Sequence, residues 1–139
     1  MGGADDFPVM VSGTLAFLTY FSPVSVGIAG LWLCGLAATI RHATDRPGRV
    51  VAGCVLPAGL TLGVLATGAV FAYHDGSPSP TYAGWLVVGL VLAHLPLAWV
   101  LVRRAGDQWP VVAASSGVWG WMSACAALVA GMSVTGDWL

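Results

Sequence analysis

His94 stands in the middle of a long apolar run, and Pro96 follows it two residues later. An ionisable group inside a helix surrounded by hydrocarbon is costly, so it marks a functional position by default. Proline lacks a backbone donor, and carbonyls one turn back, around Leu92, lose their usual partner. An imidazole there can bond such a carbonyl or a nearby hydroxyl; it can also ligate a cofactor or relay a proton. A bis-histidine haem needs a second histidine at matching depth on a facing helix. His42 and His74 fall at the ends of apolar runs, whereas His94 lies roughly 18 Å along a helix from Tyr82. An intrachain haem pair is therefore not expected.

Other reactive residues are scattered. Asp5, Asp6, His74, Asp75 and Asp137, with Met10 and Met132, gather toward one end of the expected bundle. Carboxylates and imidazole bind divalent metals and thioethers suit Cu(I). No His-x-His or His-x-x-x-His spacing concentrates them, so they read as solvated anions and no metal site is expected. Cys34, Cys54 and Cys125 lie in apolar stretches without CxxC spacing, as small packing residues do. Ser115-Ser116-Gly117 has no adjacent base. Glu is absent, no Asp interrupts an apolar run, and neither a nucleophile elbow, a phosphate loop nor His-Glu-x-x-His occurs. The chain is expected to carry no catalytic residues of its own. Whether it holds haem, pigment or quinone stays open at this level.

The elements that position these residues follow from composition. Hydrophobic residues make up 58% of 139 positions and charged residues 8%, against about 45–50% and about 25% in soluble domains. Mean hydropathy is +0.85. All five cations are Arg and all six anions Asp, the mark of a GC-rich, bacterial coding sequence. The net charge of −1 offers no basic face to nucleic acid. The pattern predicts an all-α integral membrane protein, a single domain of four transmembrane helices at about 9–40, 50–73, 82–102 and 111–134. Each run reaches the roughly 20 apolar residues needed to cross hydrocarbon, and helices satisfy their own backbone groups there.

Arg marks the cytoplasmic side of a membrane. Arg41, Arg46, Arg49, Arg103 and Arg104 fall in the first and third connections, 41–49 and 103–110. The amino terminus, the Tyr73–Pro80 connection and the carboxyl terminus contain none. Four crossings then put both ends outside and both Arg loops in the cytoplasm, as in a bacterial inner-membrane protein. Met1–Phe7 has no basic residue and does not read as a cleaved signal. The first run is too long for one crossing: about 32 residues make a rod of about 48 Å. Pro23 is expected to break it, leaving Pro23–Ile40 as the span and Met10–Phe21 as a shallow or tilted extension.

The two Arg loops align, Arg41-His42-Ala43-Thr44-Asp45 with Arg103-Arg104-Ala105-Gly106-Asp107, each followed by Val-Val. Two like hairpins would form a parallel tandem repeat about an axis along the membrane normal; short biased loops also align by chance. Helices in lipid associate by close backbone approach and polar contacts. The small-residue faces are Gly30-Cys34-Ala38, Gly59-Gly63-Thr67, Gly89-Ala93 and, richest, Ser116-Gly120-Ala124 continuing through Ala127 to Gly131. Trp85, Trp109 and Trp138 sit near span ends, where amphipathic rings prefer the interface. Trp119 and Trp121 point in different directions on one helix.

These features lead to two expectations. One is a non-catalytic subunit of a larger membrane complex, respiratory or photosynthetic in kind, scaffolding through its small-residue faces. The other is a small homo-oligomeric transporter or channel for a neutral solute or protons, lined by Ser12, Thr14, Thr61, Thr67, Ser116, Ser123 and His94.

Overall fold

Long apolar runs punctuated by Pro, Gly and Arg favour helices, and in the computed structural model of the chain nearly all of the described residues are helical. It describes residues 6–41, 47–72 and 80–135, among which there is no strand. The helices are α1 (Asp6–Tyr20), α2 (Ser22–Arg41), α3 (Pro47–Val70), α4 (Thr81–Ala105) and α5 (Trp109–Thr135).

The expected break in the first run occurs at Phe21, where α1 and the first part of α2 meet at 92°. Pro23 explains it, because proline suits the first turn of a helix but not its interior. The elbow is tied by one hydroxyl. Ser25 Oγ donates to the Leu18 carbonyl at 2.9 Å and accepts from Trp121 Nε1 at 3.0 Å. Phe21 packs edge-on against the Trp121 ring, centroids 5.9 Å apart.

The third connection is tighter than expected. Arg103–Ala105 continue α4, Trp109 and Pro110 already belong to α5, and only a 3-10 turn, Gly106–Gln108, joins them. Gly106 has φ of 59°, a conformation that a Cβ would strain. The stretch Thr81–Thr135 therefore folds back as a hairpin. It is long and apolar enough to cross a membrane. The α1–α2 pair passes the same test only as a bent span, and Val55–Val70 is a shorter apolar helix.

The alternation of helix directions follows from the paired residues. Gly53 meets Val112 and Gly68 meets Ala130, so α3 and α5 run parallel. Gly63 meets Leu90, and α4 runs against α3. Trp32 bonds Ser115, and α2 runs against α5. The centre is α5, which packs on all four other helices. Its Ala, Gly and Ser content lets neighbours approach from every side. Met10, Val64, Leu65, Ala69, Val87, Ala126, Val129 and Ala130 form the main core, and Ala105, Val111 and Val112 a smaller one beside the 3-10 turn. The two halves of the suggested repeat are packed differently. The α4 and α5 helices lie along each other, whereas α2 leans on α5 and barely meets α3 among the described residues.

Large apolar side chains are exposed on the helix surfaces, and several polar ones are buried beside the apolar core. Leu31, Leu95 and Trp85 are 68%, 71% and 73% exposed, while Thr14, Thr61, His94, Gln108, Ser115, Ser116, Ser123 and Ser133 are buried.

Candidate functional site

His94 is placed by α4 against the middle of α3, and it is 6% exposed. Its Nδ1 lies 3.2 Å from the Leu90 carbonyl, one turn back on α4, and its Nε2 lies 3.3 Å from the Pro57 carbonyl on α3. The carbonyl group around Leu92, expected to be the partner, is not the one used. Thr61 Oγ1 also lies 3.3 Å from the Pro57 oxygen and 3.2 Å from the Trp119 carbonyl on α5. His94, Thr61 and two backbone carbonyls thus join α3, α4 and α5 at one level.

This arrangement restricts the chemistry of the ring. A neutral imidazole has one N–H and one lone pair. Whichever nitrogen carries the proton can donate to its carbonyl; the other presents a lone pair to an oxygen. Both contacts become donor bonds only when the ring carries two protons. A metal or haem iron would need one of these nitrogens to turn away from the backbone it faces. Among the described residues no three His, Cys, Asp or Glu side chains gather as a ligand set. Met10 is 2% exposed and packs within the main core. His42, His74, Asp5, Asp45, Asp75, Asp137 and Trp138 lie outside the described residues, as do the side chains of Ala38, Arg41, Arg49 and Cys54. Cys125 is buried, whereas Cys34 is exposed on the surface of α2.

Close approach occurs at glycines other than those singled out by spacing. An added Cβ would stand 2.7 Å from Ala130 Cβ at Gly68, 2.9 Å from Val112 at Gly53 and 3.0 Å from Val129 at Gly13. At Gly63 it would meet Leu90 at an ordinary 3.6 Å. At Gly59, Gly120 and Gly131 it would meet nothing within 4 Å. Among the described residues, no helix approaches those three closely. Of the remaining face, Ser116 is buried, Ala124 half-buried, and Ala127 packs against the main core.

Two indoles hold α2 to α5, a role that sequence reasoning missed. Trp32 Nε1 donates to Ser115 Oγ at 2.8 Å, and Trp121 Nε1 to Ser25 Oγ. Buried indole N–H groups need acceptors, and this is the only signal that could have linked them to serines. Ser116 Oγ, Ser123 Oγ and Gln108 Oε1 are buried without a hydrogen-bond partner among the described residues. Ser116 and Ser123 are seven apart and so share a side of α5.

Two open grooves flank α5. One of about 520 Å³ lies between α2 and α5, lined by Ile28, Leu31, Cys34, Trp109, Ala113 and Gly117. The other, of about 470 Å³, lies between α4 and α5, lined by Gly84, Trp85, Val88, Leu92, Leu128 and Gly131. Both are almost wholly apolar. Compared with protein-family models, curated proteins and solved structures, the chain matches none.

Proposed function

We propose that the chain is a four-span protein of a bacterial inner membrane, serving as a non-catalytic subunit of a larger membrane assembly of respiratory or photosynthetic kind. The many large Val, Leu and Trp side chains exposed on the helix surfaces support its membrane location, because soluble monomers rarely expose large contiguous apolar patches. The distribution of Arg supports both ends outside and the α4–α5 turn in the cytoplasm. Cysteine substitution tests this. In a chain lacking its native cysteines, Thr81→Cys should react with an impermeant thiol reagent on intact cells and Asp107→Cys should not. The opposite labelling would overturn the orientation.

One observation carries the scaffolding role. His94, the buried histidine among the described residues, sets its ring between the Leu90 and Pro57 carbonyls, where an N–H on Nε2 ties α4 to α3. The open positions at Gly59, Gly120 and Gly131 support it as places where partner helices approach. Gly120→Leu should therefore leave the stability of the isolated chain within about 0.5 kcal/mol, as at other open positions. It should reduce the subunits that co-purify in mild detergent, as identified by mass analysis. Unchanged companions would remove Gly120 from any interface, and a homo-oligomer with no companions would sink the subunit reading. The second reading, a homo-oligomeric transporter or channel for a neutral solute or protons, is favoured by one observation, the unpartnered Ser116 and Ser123 hydroxyls inside the bundle.

A further inference from the structure

Near the α4–α5 turn the outward face of α4 changes from apolar to cationic. Leu92, Leu95, Trp99 and Arg103 follow at steps of three and four and so share one face. The first three are exposed, 57%, 71% and 61%. The Arg103 guanidinium carbon stands 4.2 Å from the centre of the Trp99 ring. Arg104 is exposed beside it, and Trp109, exposed at the start of α5, brings a second indole to the same turn. Among the described residues neither Arg is joined to a carboxylate, although exposed Asp107 lies in the turn.

We propose that this end of α4 binds the headgroup of an anionic phospholipid, with an acyl chain along Leu95 and Leu92; the inference rests on the membrane reading above. Charge complementarity selects the partner. Stacking occupies the face of the Arg103 guanidinium and leaves its edge N–H donors for a phosphodiester, a geometry that Lys cannot supply. The negative end of the α4 dipole and Asp107 both oppose an anion here, so the attraction comes from Arg103 and Arg104. Free phosphate would leave the apolar stripe uncovered; a phospholipid covers it and places both indoles at headgroup level.

The test uses the full chain in mild detergent with equal phosphatidylglycerol and phosphatidylcholine, and intact-complex mass spectrometry to count retained lipid. Phosphatidylglycerol should be favoured about tenfold or more, since each Arg near an anionic surface contributes about fivefold. Arg103→Gln with Arg104→Gln should bring the ratio close to one. Trp99→Leu keeps both charges and the apolar stripe, and should lower the ratio about two- to fivefold by removing the stack. Equal retention of both lipids by the unaltered chain would overturn the proposal while leaving the membrane reading intact, as would an unchanged ratio in the double variant. Displacement of the lipid by excess inorganic phosphate would also overturn it. A chain that stays in solution without detergent and retains neither lipid would overturn both.

Discussion

Gly68→Val should destabilise the folded chain by about 2–3 kcal/mol, near the upper end of ordinary overpacking. A Cβ there would lie 2.7 Å from Ala130 Cβ, 2.9 Å from Ala130 Cα and 3.1 Å from Met10 Sδ. The methionine sulfur can swing aside. Ala130 Cα is backbone of the central helix and cannot move without moving α5. Its neighbours Val129 and Ala126 are core, and the Ser133 hydroxyl donates to the Gly68 carbonyl at 3.4 Å. One added side chain therefore wedges α3 from α5 and disturbs α1 through Met10. Gly59→Val is the matched control: it makes the same change of helix propensity in the same helix, at a position with nothing within 4 Å. Denaturant titration in detergent should put the control within about 0.5 kcal/mol of the unaltered chain. Equal losses at the two positions would mean that α3 and α5 do not meet at Gly68. A partial rescue by Ala130→Gly, which removes the nearer obstacle, would identify the clash directly.

The same comparison shows what sequence spacing can and cannot carry. Small residues at every fourth position describe one face of one helix, but tightness depends on what faces it. Gly59 and Gly120 satisfy the spacing and meet nothing; Gly13, Gly53 and Gly68 meet valines and an alanine from α5. The choice is made by helix register between segments about 60 to about 115 residues apart, which no local pattern encodes. The break in the first run was more legible, because Pro23 acts on its own neighbours, whereas the third connection is shorter than the expected 103–110 loop. The elbow was foreseen near Pro23 and lies at Phe21. The apolar surroundings of His94 marked it for attention, but neither its burial nor its acceptor was legible from them. Local reasoning pointed to the carbonyls beside Pro96, yet the long-range partner is Pro57, 37 residues earlier on a different helix. The Trp32–Ser115 and Trp121–Ser25 pairs span 83 and 96 residues and were invisible for the same reason.

His94→Ala is the second large expected effect, a loss of about 2 kcal/mol, and it separates structure from chemistry. Removal of the imidazole opens a cavity between α3 and α4, and cavities left by buried side chains are seldom fully closed by relaxation. It also removes the side-chain tie across the two helices, typically about 0.6 kcal/mol and up to about 1.7 in membrane proteins. The Pro57 carbonyl is not orphaned, since Thr61 Oγ1 still reaches it; the loss should stay below that of a deserted buried acceptor. His94→Gln should recover most of it, because the amide fills much of the space and keeps donors for the carbonyls, leaving a deficit of at most about 1 kcal/mol. The assembly containing His94→Gln should keep its companions and its activity, since a ring used to tie helices is replaceable by another donor. An amide cannot titrate near neutral pH or replace imidazole at a haem iron. A His94→Gln chain that folds with normal stability and companions, yet loses activity or a visible absorption band, would defeat the scaffolding role and put the working site where α3, α4 and α5 meet.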